Sequence, residues 1–149
     1  SFDRGDVHFV ALDTEDIGEA QRDWLESDLD AADKRWIVAY LHRPPYSSGA
    51  HGSDDEVRNE LVPLFERFRV DLVLAGHEHH YERLRPQDGV EYVVTGGGGG
   101  GTRPVDGSEL TAFAEDVVHY VYVTIEGEEL LLHAIDASGQ EFDQPYISK

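Results

Sequence analysis

Three histidines are the residues of this sequence whose types and spacing point most clearly to chemistry. His77 and His79 follow the apolar run Val70–Ala75 after a single glycine, Gly76. In an extended chain, side chains two residues apart face the same way, so both imidazoles would point to one side. Neutral imidazole binds zinc, iron and other transition metals in preference to magnesium or calcium. The pattern indicates a metal site, and a solvated histidine-rich loop is the alternative.

The third histidine, His42, follows a second apolar run, Trp36–Leu41. Between the strand predicted over Asp6–Thr14 and this run, apolar residues recur at helical spacing over Gly18–Asp33, with Trp24 expected in the core. A strand–helix–strand order implies a right-handed parallel crossover. Because active sites of α/β sheets lie at the carboxyl ends of their strands, we expect His42 to lie near the other two histidines.

The remaining elements complete an α/β chain. A helix is predicted over Asp55–Phe68, with Asp54 as its cap and a break near Val62, because Pro63 falls inside the helical pattern. Further predicted elements are a strand within Gly89–Thr95 and a C-terminal hairpin of Val117–Ile125 with Glu129–Asp136. Residues 102–116 are expected to be irregular, and residues 137–149 to lie on the surface. No linker is visible, so residues 1–149 form one unit.

The composition restricts the partners of this surface. The chain has 31 acidic residues against 12 Lys and Arg, for a net charge of −19, and no cysteine. Such a surface repels nucleic acid and anionic lipid, so neither is expected as a partner. No apolar stretch is long enough to span a membrane. Solubility alone, or a salt-adapted host, also accounts for the excess of acid.

Two segments resemble motifs of one enzyme family. Gly76-His77-Glu78-His79 is similar to the GHxH motif of the calcineurin-like metallophosphoesterases, and its continuation through Tyr81-Glu82-Arg83 resembles the purple acid phosphatase branch. Leu41–Tyr46 resembles the upstream motif of that family, in which a histidine precedes a proline-rich turn. The order and spacing of the two motifs agree with the family, and the resemblance runs from about Asp6 to about Ile135.

The resemblance implies a fold and a domain organisation. The family folds as a β-sandwich flanked by helices, and this chain would contribute a βαβαβ unit followed by further strands and the C-terminal hairpin. The earlier motifs of the family, DxH, GDxxY and GNH followed by an acid, are absent. Residues 1–149 therefore resemble the C-terminal half of a metallophosphoesterase domain, and the N-terminal half is an expected partner.

The resemblance also implies metal ligands. His42 and His77 would bind one metal ion and His79 a second, in a dinuclear site of iron, zinc or manganese in the complete enzyme. In the chain on its own, the three imidazoles together would hold one zinc ion. Glu78 faces the opposite side in an extended chain, so we do not expect it to be a ligand.

Other residues are expected to act on the substrate or to order the loops. His51 lies in the loop where purple acid phosphatases carry a histidine near the leaving group, so the resemblance implies a general acid or an electrostatic partner for the phosphate; an exposed loop histidine without a role is the alternative. Arg83 is expected to order the loop of residues 76–80, here called the histidine loop, or to contact substrate. Gly96 and Gly97 would let the backbone pass close to a metal-bound substrate.

These observations lead to two functional hypotheses. The first is a metal-dependent phosphomonoesterase of the purple acid phosphatase type, with a phosphate ester as substrate and, from the family resemblance, a secreted or periplasmic location. The second is a catalytically incomplete fragment that binds metal or self-associates, most simply as a homodimer.

Overall fold

Four parallel strands form the middle of the larger of two sheets. The computed structural model describes all 149 residues. The strands are β1 (Phe2–Arg4), β2 (Val7–Leu12), β3 (Trp36–Leu41), β4 (Leu72–Ala75), β5 (Tyr81–Leu84), β6 (Glu91–Thr95), β7 (Thr111–Glu115), β8 (His119–Glu126), β9 (Glu129–Asp136), β10 (Glu141–Asp143) and β11 (Tyr146–Ser148). The larger sheet has the order β1-β2-β3-β4-β6-β5-β7, in which β2, β3, β4 and β6 are parallel. In the smaller sheet, β9 lies between β8 and the short strands β10 and β11.

Three helices connect the parallel strands. They are α1 (Glu19–Ala31), α2 (Asp55–Glu60) and α3 (Val62–Arg67). Asp54 caps α2, because its Oδ1 accepts the backbone N–H groups of Glu56 and Val57 at 3.0 Å each. The expected break falls at Leu61, between α2 and α3. Pro63 lies in the first turn of α3, where a proline is tolerated. The expectation for Trp24 is wrong: its side chain is exposed, because α1 buries only Leu25 and Leu29.

Two apolar cores lie on opposite faces of the larger sheet. One core joins the helices to the sheet and includes Leu25, Phe65 and Val73. The other lies between the two sheets and includes Trp36 and Leu132. The arrangement is a β-sandwich with helices on its outer face, so the predicted α/β fold class is confirmed. No helix is long and apolar enough to cross a membrane.

The prediction that residues 102–116 are irregular is wrong in part, whereas residues 137–149 lie on the surface as predicted and also form two short strands. Residues 111–115 form β7, and the C-terminal segment contributes β10 and β11. Each of these strands has only three to five residues and depends on distant partners, because β7 pairs with β5 while β10 and β11 pair with β9. Such pairing leaves little trace in the local sequence, since a short strand gains its stability from the neighbours to which it is hydrogen-bonded.

Candidate metal centre

The ends of β3 and β4 bring His42 and His77 together. Leu41 and Ala75, the last residues of these parallel strands, are paired in register. The loops that follow therefore start side by side, and Nδ1 of His77 lies 3.1 Å from Nε2 of His42. The two rings meet nearly at right angles, with their centroids 5.0 Å apart. The predicted neighbourhood of these two histidines is present in the structure.

The surroundings of His77 favour its neutral form. Burial lowers the pKa of His77, and the neighbouring His51 and His42 lower it further. A neutral imidazole keeps the lone pair that a metal ion requires. His77 also has a φ of 67°, which is rare for a residue with a side chain. The chain therefore turns at this residue instead of continuing as a strand.

His79 is turned toward the glycine-rich loop. Its Nδ1–H donates to the backbone carbonyl of Gly101 at 2.9 Å, which leaves Nε2 with a free lone pair. Ligand histidines in metalloproteins are usually oriented by a hydrogen bond from their other ring nitrogen. A Cβ atom on Gly100 would lie 2.4 Å from Cε1 of the ring, so this loop packs directly against His79.

The structure does not bring the three histidines together into one site. No group of three or more His, Cys, Asp or Glu side chains is arranged to hold a metal ion. A single zinc ion on His42, His77 and His79 stays a prediction, and it would require the loop of His79 to move. The reason is local: the left-handed backbone at His77 ends the extended geometry that would align it with His79, and His79 faces Gly101 instead.

The donor set nevertheless fits transition-metal ions. Two nitrogens bound to one ion at about 2.0–2.1 Å would lie about 3.0–3.4 Å apart, and those of His42 and His77 are 3.1 Å apart. His79 offers its Nε2 to a separate position. The pair and the single histidine suit two ions that require further ligands, which agrees with the division that the family resemblance implies.

His51 stands beside this pair. Its ring centroid lies 4.7 Å from that of His77, and its side chain is exposed. Arg103, which the sequence analysis did not identify, places Nη1 3.1 Å from Nδ1 and 3.3 Å from Nε2 of the His51 ring. The backbone N–H of Arg103 also donates to the carbonyl of His79 at 2.9 Å. Arg103 follows a glycine run, and no local pattern marks it, because its position results from packing of that loop on the histidine loop.

A buried carboxylate, Glu82, holds the loop that carries His51. It accepts hydrogen bonds from the backbone N–H and the hydroxyl of Ser48 at 2.8 and 2.7 Å, and from the hydroxyls of Thr111 and Ser47 at 2.6 and 3.2 Å. Burial alone would raise its pKa, but hydrogen bonds from His80, Thr111 and Ser48 outweigh burial and lower the pKa of Glu82 to about 2.

Gly96 and Gly97 are placed against protein atoms. A Cβ on Gly96 would lie 2.1 Å from the carbonyl oxygen of Glu78, and one on Gly97 would lie 2.4 Å from the ring of His119. These contacts are sufficient to require glycine at both positions. Their approach to a substrate stays a prediction.

Arg83 points to the smaller sheet. It donates two hydrogen bonds to Asp143 on β10, from Nε at 2.8 Å and from Nη2 at 3.1 Å, and the hydroxyl of Tyr81 donates to the same carboxylate at 2.9 Å. The side chain joins β5 to the smaller sheet, and its role in ordering the histidine loop or in contacting substrate stays a prediction.

Several curated proteins that resemble this chain are named as phosphatases. Over 115 residues the chain is 39% identical to purple acid phosphatase 23 of Arabidopsis thaliana, covering 66% of the chain and 25% of that protein. Over 113 residues it is 37% identical to acid phosphatase type 7 of Homo sapiens, covering 58% of the chain and 26% of that protein. The chain therefore spans about a quarter of the length of these curated relatives.

A solved structure and a family model agree with these relatives. The purple acid phosphatase from yellow lupin (Lupinus luteus) seeds superposes with a TM-score of 0.92 at 26% identity, over 99% of this chain and 32% of that one. The model of the calcineurin-like phosphoesterase family matches residues 3–81, which include β1 to β4 and the histidine loop. The chain belongs to the calcineurin-like phosphoesterase family and resembles its purple acid phosphatase branch.

Proposed function

We propose that this chain provides the histidine ligands of a dinuclear metal site that hydrolyses phosphomonoesters. His42 and His77 would bind one ion and His79 the other. The observation that supports the proposal is the 3.1 Å approach of His42 and His77 at the ends of adjacent parallel strands, in a chain that belongs to a phosphoesterase family. The ions would be iron, zinc or manganese, which imidazole nitrogen accepts well.

The bound metal ions would supply a strong nucleophile at neutral pH and neutralise charge on the transferring phosphoryl group. His51 would donate a proton to the leaving oxygen, because its exposed ring stands next to His77. The hydrogen bonds that Glu82 accepts from Ser48 would keep the loop of His51 in place during this proton transfer.

Arg103 would bind the phosphate group of the substrate. A net charge of −19 repels a phosphate dianion at long range, so attraction must come from cations within the site. No carboxylate lies within 4.0 Å of the Arg103 guanidinium, which stands instead beside the ring of His51. A guanidinium group binds phosphate through two parallel hydrogen bonds, which fixes the orientation of the phosphate as well as its charge.

The chain requires a partner segment for this chemistry. Three histidines cannot fill two metal sites, and the family motifs DxH, GDxxY and GNH, which carry the other ligands, are absent from residues 1–149. We infer that an N-terminal half of the domain supplies them. The second candidate function, for the chain alone, is a fragment without catalytic activity that binds metal through His42 and His77, whose ring nitrogens lie 3.1 Å apart, or that self-associates.

Complementation tests the proposal. The chain is joined to the segment of a purple acid phosphatase that contains the three missing motifs, and hydrolysis of an aryl phosphate is measured with zinc, iron or manganese added. We expect turnover by the joined protein that His77→Ala and His79→Ala each abolish, and none by the 149-residue chain. Turnover that both variants retain would contradict the proposal. Self-association of the chain alone is measured by light scattering at low and high salt.

A further inference from the structure

Glu78 lies between His77 and His79 in the histidine loop, and its side chain is fully buried. Its Oε1 accepts the backbone N–H of His51 at 2.5 Å and the backbone N–H of Gly52 at 3.1 Å. The same oxygen lies 3.3 Å from Nδ1 of the His51 ring. The carboxylate of Glu78, in the histidine loop, therefore holds the backbone of His51, the residue proposed as general acid.

The packing around Glu78 leaves no space for it to move. A Cβ on Gly49 would lie 2.6 Å from Cδ and 2.7 Å from Oε2 of Glu78, so the loop lies directly over the carboxylate. Oε2 has no hydrogen-bond partner in the protein. Burial of a carboxylate is costly unless hydrogen bonds compensate for lost hydration, and here the compensation comes from the His51–Gly52 backbone.

We propose that Glu78 is the positioning residue for His51. The loop that carries His51 is rich in serine and glycine and has no regular structure at this point, so its own conformation does not fix the ring. The bond to Glu78 links His51 to the residue next to His77, and the two rings stand 4.7 Å apart. Glu82 holds the same loop at Ser48, three residues earlier.

The expected consequence is catalytic. A proton donor that is misplaced by about 1 Å can cost about 100-fold in rate, because proximity and orientation supply a large part of the acceleration. This catalytic part rests on the proposed function, whereas the anchoring of the loop does not. The two parts are therefore measured separately.

Hydrogen exchange of the His51 amide in the 149-residue chain tests the anchoring. This N–H has no acceptor other than Glu78, and the neighbouring Ala50 N–H has none in the protein. We expect the wild-type His51 amide to be protected by about tenfold or more relative to the Ala50 amide, and Glu78→Ala to remove that protection.

Glu78→Gln keeps an acceptor oxygen and should retain most of the protection of the His51 amide. If only the negative charge of Glu78 mattered, this variant would lose the protection. Glu115→Gln, at an exposed acid on β7, is the matched control. Zinc affinity should stay within about threefold in each variant, because Glu78 accepts hydrogen bonds from the His51 and Gly52 backbone and none from His42, His77 or His79. An unprotected His51 amide in the wild-type chain would overturn the proposal, and this result does not require any variant to fold.

Double substitution in the joined, active protein tests the catalytic part. Glu78→Ala and His51→Ala should each slow esters with poor leaving groups more than activated aryl esters, and together they should cost little more than His51→Ala alone. Additive losses would show that Glu78 acts independently of His51 and would overturn the positioning role. A protected His51 amide in a joined protein without turnover would instead count against the proposed function and leave the anchoring intact.

Discussion

Nε2 of His42 and Nδ1 of His77 lie 3.1 Å apart, although 35 residues separate them in the chain. The parallel register that pairs Leu41 with Ala75 produces this approach, because each histidine loop begins where its strand ends. We propose that this pair provides one ion with two protein ligands, while the ring of His79 is held by a hydrogen bond to Gly101. Several properties of the chain can be tested from this arrangement.

Zinc binding by the 149-residue chain should depend on His42 and His77 more than on His79. Removing either member of the pair takes away one of two ligands to the same ion, so His42→Ala and His77→Ala should each weaken binding by about tenfold or more in calorimetry. His79→Ala should change the first binding step by less than about threefold. His133→Ala, a histidine bonded to Glu141 on the smaller sheet, is the control and should bind like the wild type. Stronger dependence on His79 would contradict the division of ligands.

Gly96→Ala should destabilise the chain and displace the histidine loop. The new Cβ would lie 2.1 Å from the carbonyl oxygen of Glu78, and a backbone atom cannot move aside without moving its loop. We expect a loss of about 1–3 kcal/mol in the free energy of unfolding, measured with urea. The same substitution at Gly99, where a Cβ would meet nothing within 4 Å, is the matched control. Equal stability of the two variants would show that this contact is not required.

Arg103→Gln should weaken phosphate binding without loss of metal. In the joined, metal-loaded protein we expect the inhibition constant of inorganic phosphate to rise by about tenfold or more, because one charge-assisted contact is lost. Arg103→Lys keeps the charge but loses the planar group. Its inhibition constant for phosphate should therefore lie between those of the wild type and Arg103→Gln. Metal content, measured in parallel, should be unchanged in both. Phosphate inhibition that matches the wild type in both variants would remove Arg103 from the site.

Stability should fall at alkaline pH through His8. Its buried ring lies between two carboxylates, with Nδ1 2.7 Å from Asp3 and Nε2 3.0 Å from Asp28. Burial lowers the pKa of His8, but hydrogen bonds to both carboxylates outweigh burial and raise the pKa above the ordinary 6.5. Because the folded-state pKa is the higher one, this stabilisation is complete below pH 6.5 and is lost as pH rises through the folded-state pKa.

His8→Gln tests this pH dependence, since glutamine cannot carry the charge. The difference in unfolding free energy between wild type and variant should shrink from pH 6 toward pH 9. Lys34, which lies 3.5 Å from Asp3, keeps its charge over this range and does not contribute to the change. A difference that is independent of pH would mean that His8 acts by packing alone.

The sequence predicted the elements that carry their own pattern. The apolar runs ending at Leu41 and Ala75 became adjacent parallel strands, and the position of His42 near His77 followed from that topology. What could not be predicted depends on contacts between distant segments. The strand at residues 111–115 exists because it pairs with β5, and Arg103 reaches His51 only because the glycine loop packs on His79.

The same limit explains why spacing alone did not predict the separate orientation of His79. Two-residue spacing aligns side chains only while the backbone stays extended, and nothing in the residue type of His77 indicates its left-handed conformation. The partners of Glu78, the backbone N–H groups of His51 and Gly52, lie on another loop and could not be identified from spacing.

The proposed function requires that His42 and His77 bind one metal ion while His79 binds another. The most direct measurement is a crystal structure of the joined protein loaded with zinc, with the ions located by anomalous scattering. The account predicts two ions about 3.5–4 Å apart, one bound by His42 and His77 and the second by Nε2 of His79. A single ion bound by all three histidines, or ions bound elsewhere while these rings stay free, would contradict it.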